Sequence, residues 1–134
     1  MKQLAWKIIG ALILSLLSGV SMGYDLHITK AAEWSESARH PITEEQWKTV
    51  VLADGEFAMD TTATAEDPET HEVIQISNPL MASWVDPKTK ENHYFYYSRG
   101  RVIVKNPTDS AIKKMKIVAS KLGAKVQGDE SEWY

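Results

Sequence analysis

No cysteine occurs anywhere in the 134 residues. That absence removes any disulfide framework, any thiol nucleophile or thiolate metal ligand, and the lipid-modified cysteine of a bacterial lipoprotein. Basic residues are outnumbered: 15 Lys and Arg stand against 18 Asp and Glu, for a net charge of −3 with His neutral. Nucleic acid is therefore not an expected partner, because phosphate recognition needs a basic stripe or patch. None of the 7 glycines builds a phosphate-cradling loop between a strand and a helix, so nucleotide binding has no local support either.

Long apolar runs are confined to one end. Ile8 to Val20 reads IIGALILSLLSGV, preceded by Lys2 and Lys7 and followed by Ser21-Met22-Gly23. A basic start, an apolar stretch and small residues before a cut are the pattern of a secretory signal, so residues 1–23 are expected to be a signal peptide cleaved between Gly23 and Tyr24. A cut after Ser21 is the near alternative. The uncharged run from Ile8 to Met22 falls short of the roughly 18 to 20 apolar residues that span a bilayer. An inner-membrane anchor formed by residues 4–22 is thus the second choice, and the expected localisation is periplasmic or secreted, with only transient membrane contact through the signal. Removing residues 1–23 takes away two lysines and no acid, leaving 13 basic against 18 acidic residues, a net −5. About 111 residues then remain, enough for one domain with one modest core, 24–134.

Within that domain, Tyr24 to Thr29 alternates, with Tyr24, Leu26 and Ile28 on one side and Asp25, His27 and Thr29 on the other, which predicts a half-buried strand. PITEEQWKTVVLADG predicts a helix: Thr43 caps it, Gln46 completes a capping box, Ile42 and Trp47 form a staple, Glu44 and Glu45 sit at the positive end of its dipole, and Gly55 stops it. Thr61 to His71 is polar, small and acidic without apolar period and is expected to be a loop. EVIQIS, LMASWV, HYFYYS and RVIVK read as four strands on short links, an antiparallel meander, with Arg99-Gly100 as a tight connection. Asn106-Pro107 is expected to open a second helix whose stripe is Ile112, Met115, Val118, Ala119 and Leu122, ended by Gly123. AKVQG returns as a short strand before the acidic tail DESEWY. The order β-α-β-β-β-β-α-β predicts an α+β fold, two helices packed on one antiparallel sheet, with no internal repeat.

The chemistry-bearing residues are scattered. His27, His40, His71 and His93 stand in no metal-binding spacing, so no metal and no cofactor is expected. His27 and His93 fall on predicted strands and are placed to meet across the sheet, although spacing alone favours two ordinary strand histidines over a site. No G-x-S-x-G elbow surrounds a serine, and the acids Glu66, Asp67 and Glu69 lie on an expected loop rather than on rigid elements. No catalytic residue is assigned. The run His93 to Tyr97 is more informative: alternation puts His93, Phe95 and Tyr97 on one face and Tyr94 with Tyr96 on the other. Candidate binding residues are therefore Trp84, Tyr94 and Tyr96, whose rings suit a protein partner or a sugar, with Arg99 and Arg101 flanking the turn.

Both ends of the domain also resemble a known group. YDLHITKAAEWSES, PITEEQW and the block VIVKNPTDSAIKKMKIVASKLGAKVQGDESEWY resemble a family of small, largely uncharacterised bacterial proteins. Its members carry an N-terminal YDLHIT[RK]A motif and a C-terminal motif that runs from KNP to LGA[RK]VQGD. The likeness covers most of residues 24–134 apart from the middle. Thr108 and Ser131 replace the Asp and Gly of the pattern, and the export signal is a further departure. The resemblance implies a shared domain and transfers no mechanism.

Size, acidity and aromatics lead to one expectation: an exported, non-enzymatic protein that binds another macromolecule, of the kind that neutralises an envelope-acting toxin as an immunity protein. A periplasmic small-ligand or glycan-binding module is the alternative, and a hydrolase built on His27, His93 and a carboxylate is a third. The expected partner is a toxin or another envelope protein; the oligomeric state is left open.

Overall fold

The computed structural model describes residues 24–59, 62–77 and 79–134; the expected signal peptide, its cleavage site and the anchor alternative lie outside the described residues. Among the described residues no helix is long and apolar enough to cross a membrane.

Strand β1 (Asp25–Thr29) is followed by a loop with one 3-10 turn at Trp34–Glu36 and by helix α1 (Glu44–Ala53). Then come β2 (Phe57–Met59), β3 (Thr62–Glu66), β4 (Val73–Ser77), β5 (Ala82–Val85), β6 (Asn92–Ser98), β7 (Arg101–Lys105), α2 (Asp109–Leu122) and β8 (Lys125–Gly128). Among the described residues six strands make one antiparallel sheet in the order β2-β5-β6-β7-β1-β8, while β3 and β4 pair with each other as a separate two-stranded sheet. The α+β architecture with two helices on an antiparallel sheet is thus present.

The strand inventory differs from expectation in two ways. Three of the four expected meander strands, β5, β6 and β7, are neighbours in the main sheet, but EVIQIS pairs with β3 instead. Residues 62–66, expected in a loop, form β3, and β2 was not foreseen. Both added strands are short or lack apolar alternation, which is the signal a half-buried strand gives.

The helices close one side of the sheet. Trp47 and Val51 of α1 and Ala111, Met115, Val118, Ala119 and Leu122 of α2 bury against Leu26, Ile28, Ala82, Trp84, Phe95, Val102, Val104 and Val126. Thr43 accepts the Gln46 N–H at 3.1 Å and the Thr43 N–H donates to Gln46 Oε1 at 3.0 Å, the expected capping box. Trp47 lies edge-on to Phe57 and parallel to Phe95, and its indole N–H donates to the Leu80 carbonyl at 2.8 Å. Helix α1 ends without a left-handed glycine: Asp54 is extended, and its carboxylate accepts the Glu56 N–H across Gly55. Helix α2 is capped by Thr108 rather than Asn106, with the Ala111 N–H donating to its hydroxyl at 3.1 Å. Asn106, at φ 50, makes the turn that precedes the cap. Gly123, at φ 65, ends α2 as expected.

Loop chemistry places the remaining pieces. DPETHE (67–72) and DPKTKE (86–91) are two copies of one hairpin loop. In each, the Asp N–H donates to the Glu carbonyl at 2.8 Å, and the fifth residue's N–H donates to the Asp carbonyl at 2.8 Å. The Asp carboxylate accepts the N–H two residues on, and the Thr hydroxyl accepts the Glu N–H. His71 and Lys90 take the same left-handed conformation, φ 62 and 66. The expected absence of any internal repeat is therefore corrected at the scale of this six-residue loop. Pro presets φ after the turn-initiating Asp, which is why the shared string gives a shared turn.

Candidate functional site

Register divides the sheet into two faces. Phe57, Trp84, His93, Phe95, Val102, Val104, Leu26, Ile28 and Val126 face the helices, and their cross-strand neighbours on the other parity face away. On that second face a continuous row runs Tyr96, Ile103, His27, Gln127 from β6 to β8. Tyr94 and Ser83 lie beside it toward β5, and Arg101 lies opposite Ser98.

The β1 end of this face is covered by the chain itself. After β1 the loop doubles back and lays the Trp34 ring flat on the His27 ring, 4.2 Å between centroids and 1° from parallel. The Trp34 backbone N–H donates to Gln127 Oε1 at 2.7 Å. The Ala31 N–H donates to Thr29 Oγ1, Thr29 and Ser37 share a hydroxyl bond of 2.7 Å, and Ser37 donates to the Trp34 carbonyl. This lid explains why β1, expected to be half-buried, is buried on both faces from Leu26 to Thr29.

His27 sits at the centre. Its Nε2 bonds Asp129 Oδ1 at 2.8 Å, and Arg101 Nε donates to its Nδ1 at 3.2 Å. Because an arginine can only donate, Nδ1 must be the acceptor and Nε2 must carry the proton. The ring is neutral, with its tautomer set by both neighbours. Burial holds its pKa below the ordinary value, and Arg101 adds to the effect while Asp129 opposes it. Asp129 also accepts the Asp25 N–H at 2.9 Å, and the Arg101 guanidinium lies 5.1 Å from the centre of the Trp34 ring. Both imidazole nitrogens are committed, so this His–Asp pair has no free lone pair with which to take a proton from a substrate.

His93 occupies the opposite face, 5.4 Å from the Trp84 ring. The expected meeting of His27 and His93 does not occur, and the hydrolase reading loses its constellation. Their strands are separated by β7, and side chains on opposite faces of one sheet cannot converge. Among the described residues no group of three or more His, Asp or Glu is placed to hold a metal ion.

The five expected binding residues separate in the same way. Tyr94 and Tyr96 are half-buried neighbours on the uncovered part of the face, 6.4 Å apart and tilted by 46°. Arg101 shares that face and is fixed by His27 and Trp34. Arg99 stands exposed at the corner, in the two-residue turn with Gly100, both at positive φ (51 and 84). Trp84 departs from the group: it faces the helices, is 3 % exposed, and its indole N–H donates to Glu56 at 2.8 Å. Pairing with His93 in β6 sets its face, and no property of LMASWV by itself reveals that partner.

Two groups of residues went unanticipated. Asp129, Gln127 and the half-buried Ile103 join the Tyr–Arg face only through pairing. YDLHITKA and LGAKVQGD, both singled out in the sequence, prove to be antiparallel neighbours with His27 opposite Gln127. On the helix side, Lys114 is buried, donating to Asp54 at 2.7 Å and Glu56 at 2.9 Å beneath the rings of Phe57 and Trp84. Burial alone would lower its pKa, but the two carboxylates outweigh burial and raise it. In the sequence it is indistinguishable from the surface lysines around it.

Compared with protein-family models, with curated proteins and with solved structures, the chain matches none, so its site is read from its own geometry.

Proposed function

We propose that this is an exported, non-enzymatic binding protein of the immunity type, which blocks an envelope-acting protein by docking it on the uncovered face of the sheet. One observation carries the reading: the helices take one face, the Trp34 loop takes the β1 end of the other, and what remains is a rigid strand surface bearing Tyr94, Tyr96, Ile103 and Arg101. Rigid tyrosines beside an immobilised arginine are the residue types that anchor protein interfaces, because they bring large contact area at small entropic cost. Arg101 is prepaid in this sense, its side chain already fixed by His27 and Trp34. The 46° tilt between the two tyrosines is a poor platform for a flat sugar face and no obstacle to an irregular protein surface. The net negative charge of the chain favours a basic partner through long-range attraction.

Immobilised protein should capture one stoichiometric partner from envelope extracts. Tyr96→Ala and Ile103→Asp should each weaken that capture at least about tenfold, the scale of a lost interface anchor, without moving the melting temperature by much. Equal capture by both variants, or no stoichiometric partner in any extract, overturns the reading; a melting shift with an oligosaccharide panel would favour the glycan alternative instead.

A further inference from the structure

The β3–β4 hairpin stands outside the main sheet. Val73 and Ile74 are 64 % and 56 % exposed, and Gln75 beside them is exposed too. Successive strand residues point to opposite faces, so at these positions β4 is open to water on both. A two-stranded hairpin alone in water is marginal and gains stability from a third strand or a packed face. The sequence does nothing to guard the outer edge: Val73–Ser77 reads VIQIS, with no charge, proline or glycine, the devices that normally keep an edge strand from pairing.

We infer that β4 pairs with β4 of a second copy of the chain, antiparallel across a twofold axis, to build a continuous four-stranded sheet β3-β4-β4-β3. The hydrogen-bond ladder fixes the register. The Asp67 N–H and carbonyl both point inward, to Glu72 and His71. Alternation from that point, through Glu66↔Val73 and Ala65↔Ile74, turns the backbone groups of Val73, Gln75 and Ser77 outward. All three of these residues find a partner within a second β4 only with Gln75 opposite Gln75, Val73 opposite Ser77, and Ile74 beside Ile76 of the second copy. A second copy fits for two reasons. The strand is uncharged and self-complementary in that register. The acidic tips, Glu66, Asp67, Glu69 and Glu72, lie at opposite ends of the joined sheet, whereas parallel pairing would set them side by side. The contact closes on itself, since each β4 edge is used once and the remaining β3 edge ends in the charged Glu66. A discrete dimer results rather than a fibre.

The chain contains no cysteine, so one introduced thiol reports on one position. Directly opposed residues of a hydrogen-bonded antiparallel pair stand about 5.5 Å apart between Cα atoms, within the range of about 4.4 to 6.8 Å that a disulfide spans. The full chain carrying Gln75→Cys should become a covalent dimer under mild oxidation, while Thr64→Cys, outward on β3, stays monomeric. By sedimentation equilibrium at micromolar concentration the native protein should show twice the mass of one chain. Gln75→Pro should halve that mass, because it removes an outward N–H and leaves the β3–β4 ladder intact. Ile74→Lys, which keeps every backbone group, should halve it as well. A monomeric native protein, crosslinking of Gln75→Cys no faster than that of Thr64→Cys, or an undiminished mass in both Gln75→Pro and Ile74→Lys overturns the proposal.

Discussion

His27 shows what a single side chain does when both its ring nitrogens are spoken for. Its pKa in the fold lies below the unfolded value, through burial first and Arg101 in addition. The unfolded chain therefore binds this proton at higher pH than the folded one, near the ordinary value of about 6.5. The sign follows: stability is greatest above that pH, falls as pH drops from it toward the folded pKa, and levels off below. Urea unfolding followed from about pH 7.5 to about pH 5 should lose stability in the native protein. His27→Gln, which keeps a donor for Asp129 and titrates nothing, should give a flatter profile over the same window; an unchanged slope would remove His27 as its source. Gly100 is a second position where one atom decides. Its φ is +84, and a Cβ there would stand 2.6 Å from the Ser37 carbonyl oxygen and 2.7 Å from Pro41 Cβ. Gly100→Ala should destabilise by about 2 kcal/mol or more, from the left-handed strain plus the displaced loop, readable as a lower urea midpoint.

At the scale of elements, local chemistry was legible wherever a device is local. The α1 capping box and the Gly123 cap need only residues within a few positions of each other, and both stand as read, while Ile42 and Trp47, the expected staple, are both buried in the core. Thr43→Ala should cost about 1 kcal/mol, measured as a shift in urea midpoint at unchanged slope, and Thr43→Ser should restore most of it. The loop DPETHE was equally legible in principle: it matches DPKTKE, one of the short links of the expected meander, and the match predicts a hairpin with β3 before it. β3 stayed hidden instead, because TATAE carries no apolar alternation to show. The cap of α2 slipped from Asn106 to Thr108 since both are good caps and only the turn out of β7 chooses between them.

For the whole molecule, Lys114 is the clearest case of long-range dependence. It joins α2 to Asp54 and Glu56 after α1 and lies beneath rings from β2 and β5. Lys114→Met should lower stability by about 3 kcal/mol, because the buried Asp54 carboxylate, 9 % exposed, then lacks its counter-charge. Adding Asp54→Asn should recover part of the loss, and equal instability of single and double variants would count against the pairing. The sequence by itself determined the two helices, the Thr43 capping box and the Gly123 cap, the parity within the strands it foresaw, the tight Arg99-Gly100 turn and the α+β class, because these follow from periods and contacts spanning a few residues. Only tertiary structure decided which face each parity meets. That choice separates Trp84 from Tyr94 and Tyr96, parts His27 from His93, and brings Asp129 to His27 across some hundred residues of chain. Strand pairing between distant segments has no signature in either segment alone, since one ladder register fixes the face of every side chain in it at once.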